Sequence, residues 1–143
     1  MISIARNETD LRRCLPAVLA LRPHLTESQA LEQIQFQQEN DRFFMAFIDN
    51  PDEEMAPAVI GYRIMYLLFT GKTLYIDDLS TLPGQRGKGY AGQLLDFVIE
   101  EARQAACQAV TLDSGHGPQR YDAHRLYLNK RFNIVSHHFA LKL

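Results

Sequence analysis

The run Arg86-Gly87-Lys88-Gly89-Tyr90-Ala91-Gly92 sets three glycines and two cations directly before the apolar periodicity of Gln93-Leu94-Leu95-Asp96-Phe97-Val98-Ile99. Just upstream, Leu74-Tyr75-Ile76-Asp77-Asp78-Leu79-Ser80 reads as a strand. Strand, short glycine loop and helix start together present unclaimed backbone N–H groups and the positive end of a helix dipole to an anion. Gly87 and Gly89 let the backbone approach that anion without a Cβ in the way. The chemistry implied is the holding of a phosphate. The strand adds a second element, because carboxylates such as Asp77 and Asp78 are costly to bury unpaired. They are candidates for taking a proton, directly or through water, or for attracting a cation. Strict alternation along a strand sends only one of them to a given face.

Spacing separates the known phosphate loops. A P-loop requires Gly, four residues, then Gly-Lys-Ser/Thr, whereas Lys88 is followed by Gly89 and Tyr90. Gly87-x-Gly89-x-x-Gly92 meets the glycine spacing of a dinucleotide fingerprint. That fingerprint belongs to a βαβ unit with an acidic residue about 20 positions on. Here the loop lies past mid-chain, and the remaining residues hold only one further crossover.

The elements that must position these residues follow from periodicity. Residues 2–5 form a short strand, and Asn7 or Thr9 caps a helix with Leu11, Leu15, Val18 and Leu19 on one face, ended by Pro23. Thr26-x-x-Gln29 has capping-box spacing for a second helix through about Gln38, with Ala30, Leu31 and Ile34 buried. Residues 43–48 are short enough for a buried strand. Residues 58–69 form a longer one, turned by Gly71-Lys72 into the strand at 73–80. After the loop, Ala91, Leu94, Leu95, Val98, Ala102 and Ala105 mark a helix, 109–112 a strand, and Pro118 opens a helix bearing Ala123, Leu126 and Tyr127. Residues 133–142 close the chain as an extended segment of one or two strands. The order is βααβββαβαβ, an α/β fold with a mixed central sheet flanked by helices, expected as a single domain over 1–143.

At 143 residues, 46% apolar and 22% charged, the chain is long and apolar enough for a sizeable core. A net charge of −2 without a basic stripe argues against nucleic acid as a partner. No apolar run is long enough for a membrane span, and no signal-peptide pattern is present. Cys14 and Cys107 have no ligand-like spacing, so free thiols and a cytoplasmic location are expected. The five histidines lack zinc spacing, and no metal is expected.

Arg86-x-x-Gly89-x-Ala91 resembles the signature Arg/Gln-x-x-Gly-x-Gly/Ala of the GNAT superfamily of N-acetyltransferases. The element order is also the one that family shows. The resemblance implies a fold in which Arg86, Gly87, Lys88, Gly89, Tyr90, Ala91 and Gly92 hold the pyrophosphate of acetyl-CoA. It implies that the backbone of Leu79, Ser80 and Thr81, before Leu82 and Pro83, pairs with the acetyl-pantetheine arm. It places Tyr127, within Ala123-His124-Arg125-Leu126-Tyr127, as the general acid for the departing thiolate, and Asp77 as the base. Arg120 stands where the family often has asparagine, and Arg131-Phe132 replaces a frequent Gly-Phe. Asp113-Ser114-Gly115 with Arg120 and His124 is similar to a subgroup of small GNAT proteins. The activity implied is acetyl transfer to a primary amine of a small molecule or peptide by direct attack in a ternary complex. A non-catalytic acetyl-CoA sensor or interaction module is the alternative. The acceptor cleft is expected to be lined by the first two helices, the loop between them (Leu21 to Ser28) and the C-terminal segment, with Glu27, Glu32 and Glu39 nearby. A homodimer through Ile134 to Leu141 is compatible with the family.

Overall fold

Local signals set the first half of the chain. Asn7 accepts the N–H of Asp10 at 2.9 Å and starts helix α1 (Glu8–Leu21). Thr26 and Gln29 exchange both bonds of a capping box at the start of α2 (Glu27–Asn40). The structure is a computed structural model and describes residues 1–143. Its strands are β1 (Ile2–Ile4), β2 (Phe43–Ile48), β3 (Ala58–Leu67), β4 (Gly71–Thr81) and β5 (Ala109–Leu112). The later helices are α3 (Tyr90–Gln104) and α4 (Tyr121–Asn129). Two compact units result, Met1–Thr111 and Leu112–Leu143.

In the first unit the strands lie in the order β1-β2-β3-β4-β5, the first four antiparallel. Leu11, Cys14, Leu15 and Val18 of α1 and Ala30, Leu31 and Ile34 of α2 pack on Phe43, Met45 and Phe47 of β2. The alternate residues Ala46 and Ile48 are buried too, as are Leu94, Leu95, Val98 and Ala102 of α3, which packs on β2, β3 and β4. With both faces covered, β2 reads as a continuous apolar run. The connection from β4 through α3 to the adjacent β5 is the crossover that parallel neighbours need, so the sheet is mixed.

Two features of the long hairpin differ from the periodicity reading. The turn comprises Leu68, Phe69 and Thr70, with Leu67 opposite Gly71 and Gly71 in the left-handed region at φ 72°. A three-residue loop closed by a left-handed glycine is a favoured hairpin solution. β3 therefore ends at Leu67, and the side chains of Leu68 and Phe69 stand in solvent instead of in a strand. Further along, Gly61 faces Asp78 while Tyr62 faces Ile76, which leaves Asp77 as the extra residue of a β-bulge. A bulge breaks alternation and bends its strand. The bulge interrupts the strict alternation from which opposite faces for Asp77 and Asp78 were expected.

In the second unit, a 3-10 turn (Pro118–Arg120) leads into α4. His124 Nε2 lies 3.0 Å from Ser114 Oγ and 2.9 Å from the Gly115 carbonyl, tying α4 to the preceding loop. The chain turns out of α4 through Arg131 at φ 68°, with the Phe132 N–H bonded to the Tyr127 carbonyl. Residues 133–143 form no strand and are exposed, contrary to the expected closing strand. Apolar β-formers such as Ile134, Val135, Phe139 and Leu141 create a strand only where a neighbouring backbone pairs with them, and none does. No helix is long and apolar enough to cross a membrane.

Candidate active site

The glycine loop has the geometry that its composition requires. Gly87 and Gly89 both sit at φ 80°, a region that side-chain-bearing residues seldom adopt. A Cβ on either would meet nothing within 4 Å, so conformation rather than crowding demands glycine there. Gly89 is the N-cap residue of α3, and no side chain caps that end. Gln93 is the first amide to bond back, to the Gly89 carbonyl at 3.1 Å. The N–H groups of Tyr90, Ala91 and Gly92 are thereby left for an anion. Arg86 is exposed and free of any carboxylate, while Lys88 is held by the Gln85 side chain at 2.6 Å. Open space beside the glycines, unclaimed amides and a free guanidinium fit a pyrophosphate.

Beside this loop runs β4. Leu79, Ser80 and Thr81 pair on one edge with Ile60, Val59 and Ala58. On the other edge β5 has four residues against the eleven of β4, so most of that edge has no strand partner. β5 enters beside the start of β4, where the Gln108 N–H bonds to the Lys72 carbonyl. Backbone N–H and C=O groups on such an edge suit an extended, amide-bearing arm.

The two aspartates have different partners. Asp77 is gripped by Arg63 through two bonds of 2.9 and 2.6 Å, and Arg63 also lies 3.6 Å from Asp41. Burial raises the Asp77 carboxyl above its ordinary value, and the Arg63 bonds pull back against it. Asp78 accepts Arg22 at Oδ1, and its Oδ2 has no hydrogen-bond partner. Arg22 is the C-cap residue of α1 and also donates to the Asp77 carbonyl at 3.2 Å.

A cavity of about 390 Å³ opens at this point, lined by Arg22, His24, Gln33, Gln37 and Asp78 over an apolar floor including Val18, Leu25 and Ile34. The expected stretch Leu21 to Ser28 contributes to it. Of the two aspartates it is Asp78, not the expected Asp77, that reaches this cavity. Glu27, Glu32 and Glu39 are not among its lining residues, and Glu27 faces Arg12 at 3.4 Å. The sequence reading missed Arg22 and Arg63. An arginine closing the apolar face of α1 immediately before Pro23 was the one visible signal.

Within the second unit, Tyr127 is half-buried and its ring packs 6.1 Å from that of Phe132. Burial raises its hydroxyl above the usual tyrosine value, while the Arg120 charge draws it back. A hydroxyl so placed stays protonated and can donate. Arg120 is the N-cap residue of α4. Cys14 is buried in the core and pushed up to about 12, which makes it an inert thiol.

A bulged strand, a glycine loop at a helix start and an open strand edge together form a site suited to an anionic ligand that carries an extended arm. The model of the acetyltransferase (GNAT) family matches residues 7–133, and the chain belongs to that family. Over 83 residues the chain is 41% identical to an uncharacterized N-acetyltransferase, YhdJ, of Bacillus subtilis, covering 57% of each. Over 68 residues it is 37% identical to the aminoalkylphosphonate N-acetyltransferase of Salmonella typhimurium, covering 48% of this chain and 43% of that one. The chain thus spans about half the length of the curated relatives it matches. Its fold superposes on AAC(6')-Iy, solved with a CoA-containing bisubstrate analogue, with a TM-score of 0.81 at 16% identity, covering 100% of this chain and 98% of that one.

Proposed function

We propose that residues 1–143 act as one N-acetyltransferase domain that moves the acetyl group of acetyl-CoA to a primary amine of a small molecule, by direct attack in a ternary complex. The observation that carries this is the set of unclaimed N–H groups at Tyr90, Ala91 and Gly92, opening beside a strand edge without a partner. Gly87 to Gly92 and Arg86 hold the pyrophosphate, and Lys88 adds charge at the rim. The backbone of Leu79, Ser80 and Thr81 aligns the pantetheine arm, and an N–H near Leu79 polarises the thioester carbonyl. Arg120 supplies a further polar contact to the cosubstrate.

The amine nitrogen attacks the carbonyl carbon, the C–S bond breaks, and the sulfur leaves as a thiolate. Tyr127 gives that sulfur its proton, and burial keeps its hydroxyl protonated at neutral pH, ready to donate. Asp78 rather than Asp77 attracts the amine and receives its proton, directly or through water, because Asp77 is bound by Arg63. Asp77 is then a positioning residue that holds the bulge. The relatives support an amine acceptor, one of them being named for aminoalkylphosphonates.

The test is calorimetry with acetyl-CoA, CoA and ADP, followed by thiol release with an amine panel. Acetyl-CoA is expected to bind well above ADP, and thiol release is expected to depend on added amine. Equal affinity for acetyl-CoA and ADP would exclude the assignment. Tight binding without turnover on any amine would leave a sensor instead.

A further inference from the structure

The cavity between α1, α2 and β4 carries both signs of charge at one point. Asp78 is its only carboxylate, and Arg22 is its only guanidinium. Arg22 Nε and Nη2 both lie 2.8 Å from Asp78 Oδ1, and Nη2 also reaches the Asp77 carbonyl. Of the five guanidinium N–H donors, the two on Nη1 have no protein partner, and the side chain is 41% exposed. Asp78 in turn leaves Oδ2 unused. One cavity lining thus holds a carboxylate oxygen and a pair of guanidinium N–H groups without protein hydrogen-bond partners. His24, Gln33 and Gln37 offer further polar atoms on the same wall.

Resting on the acetyltransferase proposal above, we propose that the acceptor is a small zwitterionic amine. Asp78 Oδ2 takes the ammonium end and Arg22 Nη1 takes a carboxylate or phosphonate two or three bonds away. Arg22 already neutralises Asp78, so a purely cationic amine would add an uncompensated positive charge, and a planar fork of N–H donors is well matched to oxyanions. A volume of about 390 Å³ accommodates a ligand of this size and lies toward the small end of ligand cavities.

The experiment uses the full chain with acetyl-CoA and a matched acceptor set: propylamine, ethanolamine, β-alanine and 2-aminoethylphosphonate. The zwitterions are expected to exceed the uncharged-substituent amines in kcat/KM by about 10- to 100-fold. β-Alanine against 2-aminoethylphosphonate decides which oxyanion is preferred. In Arg22→Gln the ratio of zwitterion to neutral amine is expected to collapse towards one, and Arg22→Lys should keep part of it. Because the readout is a ratio within each variant, a general loss of activity does not mimic the effect. No zwitterion preference in the wild type, or one that survives Arg22→Gln, overturns the zwitterion assignment while leaving the acetyltransferase standing. If no amine turns over, calorimetric binding of 2-aminoethylphosphonate to the acetyl-CoA-loaded protein decides, and its absence also overturns the assignment. Failure of acetyl-CoA itself to bind above ADP identifies the fault in the underlying proposal.

Discussion

The glycine loop and the Arg22–Asp78 cavity both depend on β4, but they are built from different materials. The loop works through backbone: two glycines at φ 80° and three amides left over by the start of α3. The cavity works through side chains drawn from α1, α2 and β4, brought together by the packing of two helices on a bulged strand. Backbone devices tolerate change in their side chains but not in their conformation. Side-chain devices are the reverse, and each change is felt by one ligand group. The difference teaches that donor recognition and acceptor recognition should be separable by mutation.

The largest effect is expected at the chemical step, which neither region performs alone. Tyr127→Phe should lower kcat by about 10²- to 10⁴-fold with acetyl-CoA affinity retained. The pH profile sharpens this. A donor whose pKa lies above the ordinary 10.0 remains protonated up to and beyond that pH. The wild-type kcat should therefore show no loss from this group below about pH 10. An unchanged kcat in the phenylalanine variant would remove the tyrosine from the mechanism.

Next comes the loop. Gly89→Val forces a β-branched residue into a left-handed conformation, although nothing crowds its Cβ. Strain of roughly 1–3 kcal/mol at a single such residue should weaken acetyl-CoA binding by about 10- to 100-fold, with amine selectivity among residual turnover unchanged. Calorimetry and the acceptor panel read the two halves separately, and a shift in selectivity would break the contrast between the regions.

The two aspartates give the converse. Asp78→Asn should raise KM for the amine by about tenfold, lower kcat because the proton acceptor is lost, and leave acetyl-CoA affinity alone. Asp77→Asn should instead lower stability by about 1–3 kcal/mol, since it leaves Arg63 with only its longer contact to Asp41. Kinetics and thermal melting on the two variants would show the same pattern for both if the bulge did not divide their roles. The smallest effect belongs to the fold that carries the cavity. Thr26→Ala removes the α2 cap and should cost about 1 kcal/mol, seen as a lower Tm with kinetics nearly unchanged.

Much of this was legible before any coordinates. Asn7, Thr26 and Gln29 act within a few residues of themselves, so their caps could be read directly. The glycine loop is equally local, because its spacing dictates φ values and leaves amides open wherever a helix follows. The order of strands and helices followed from periodicity up to α4. The hairpin turn was displaced because Leu68 and Phe69, strong β-formers, stand at an exposed tip that their side chains alone would not choose. The expected closing strand is absent for a related cause: strand propensity at 133–142 says nothing about whether a partner edge exists.

The sequence by itself determined the proposed donor side of this protein, since a glycine loop with open amides is a property of consecutive backbone units. Only the tertiary structure decided the proposed acceptor side. The bulge at Asp77 arises from a mismatch between β3 and β4, and the meetings of Arg22 with Asp78 and of Arg63 with Asp77 join residues 56 and 14 positions apart. No local rule fixes which arginine reaches which carboxylate, because that depends on where α1 ends once its apolar face is packed against the sheet.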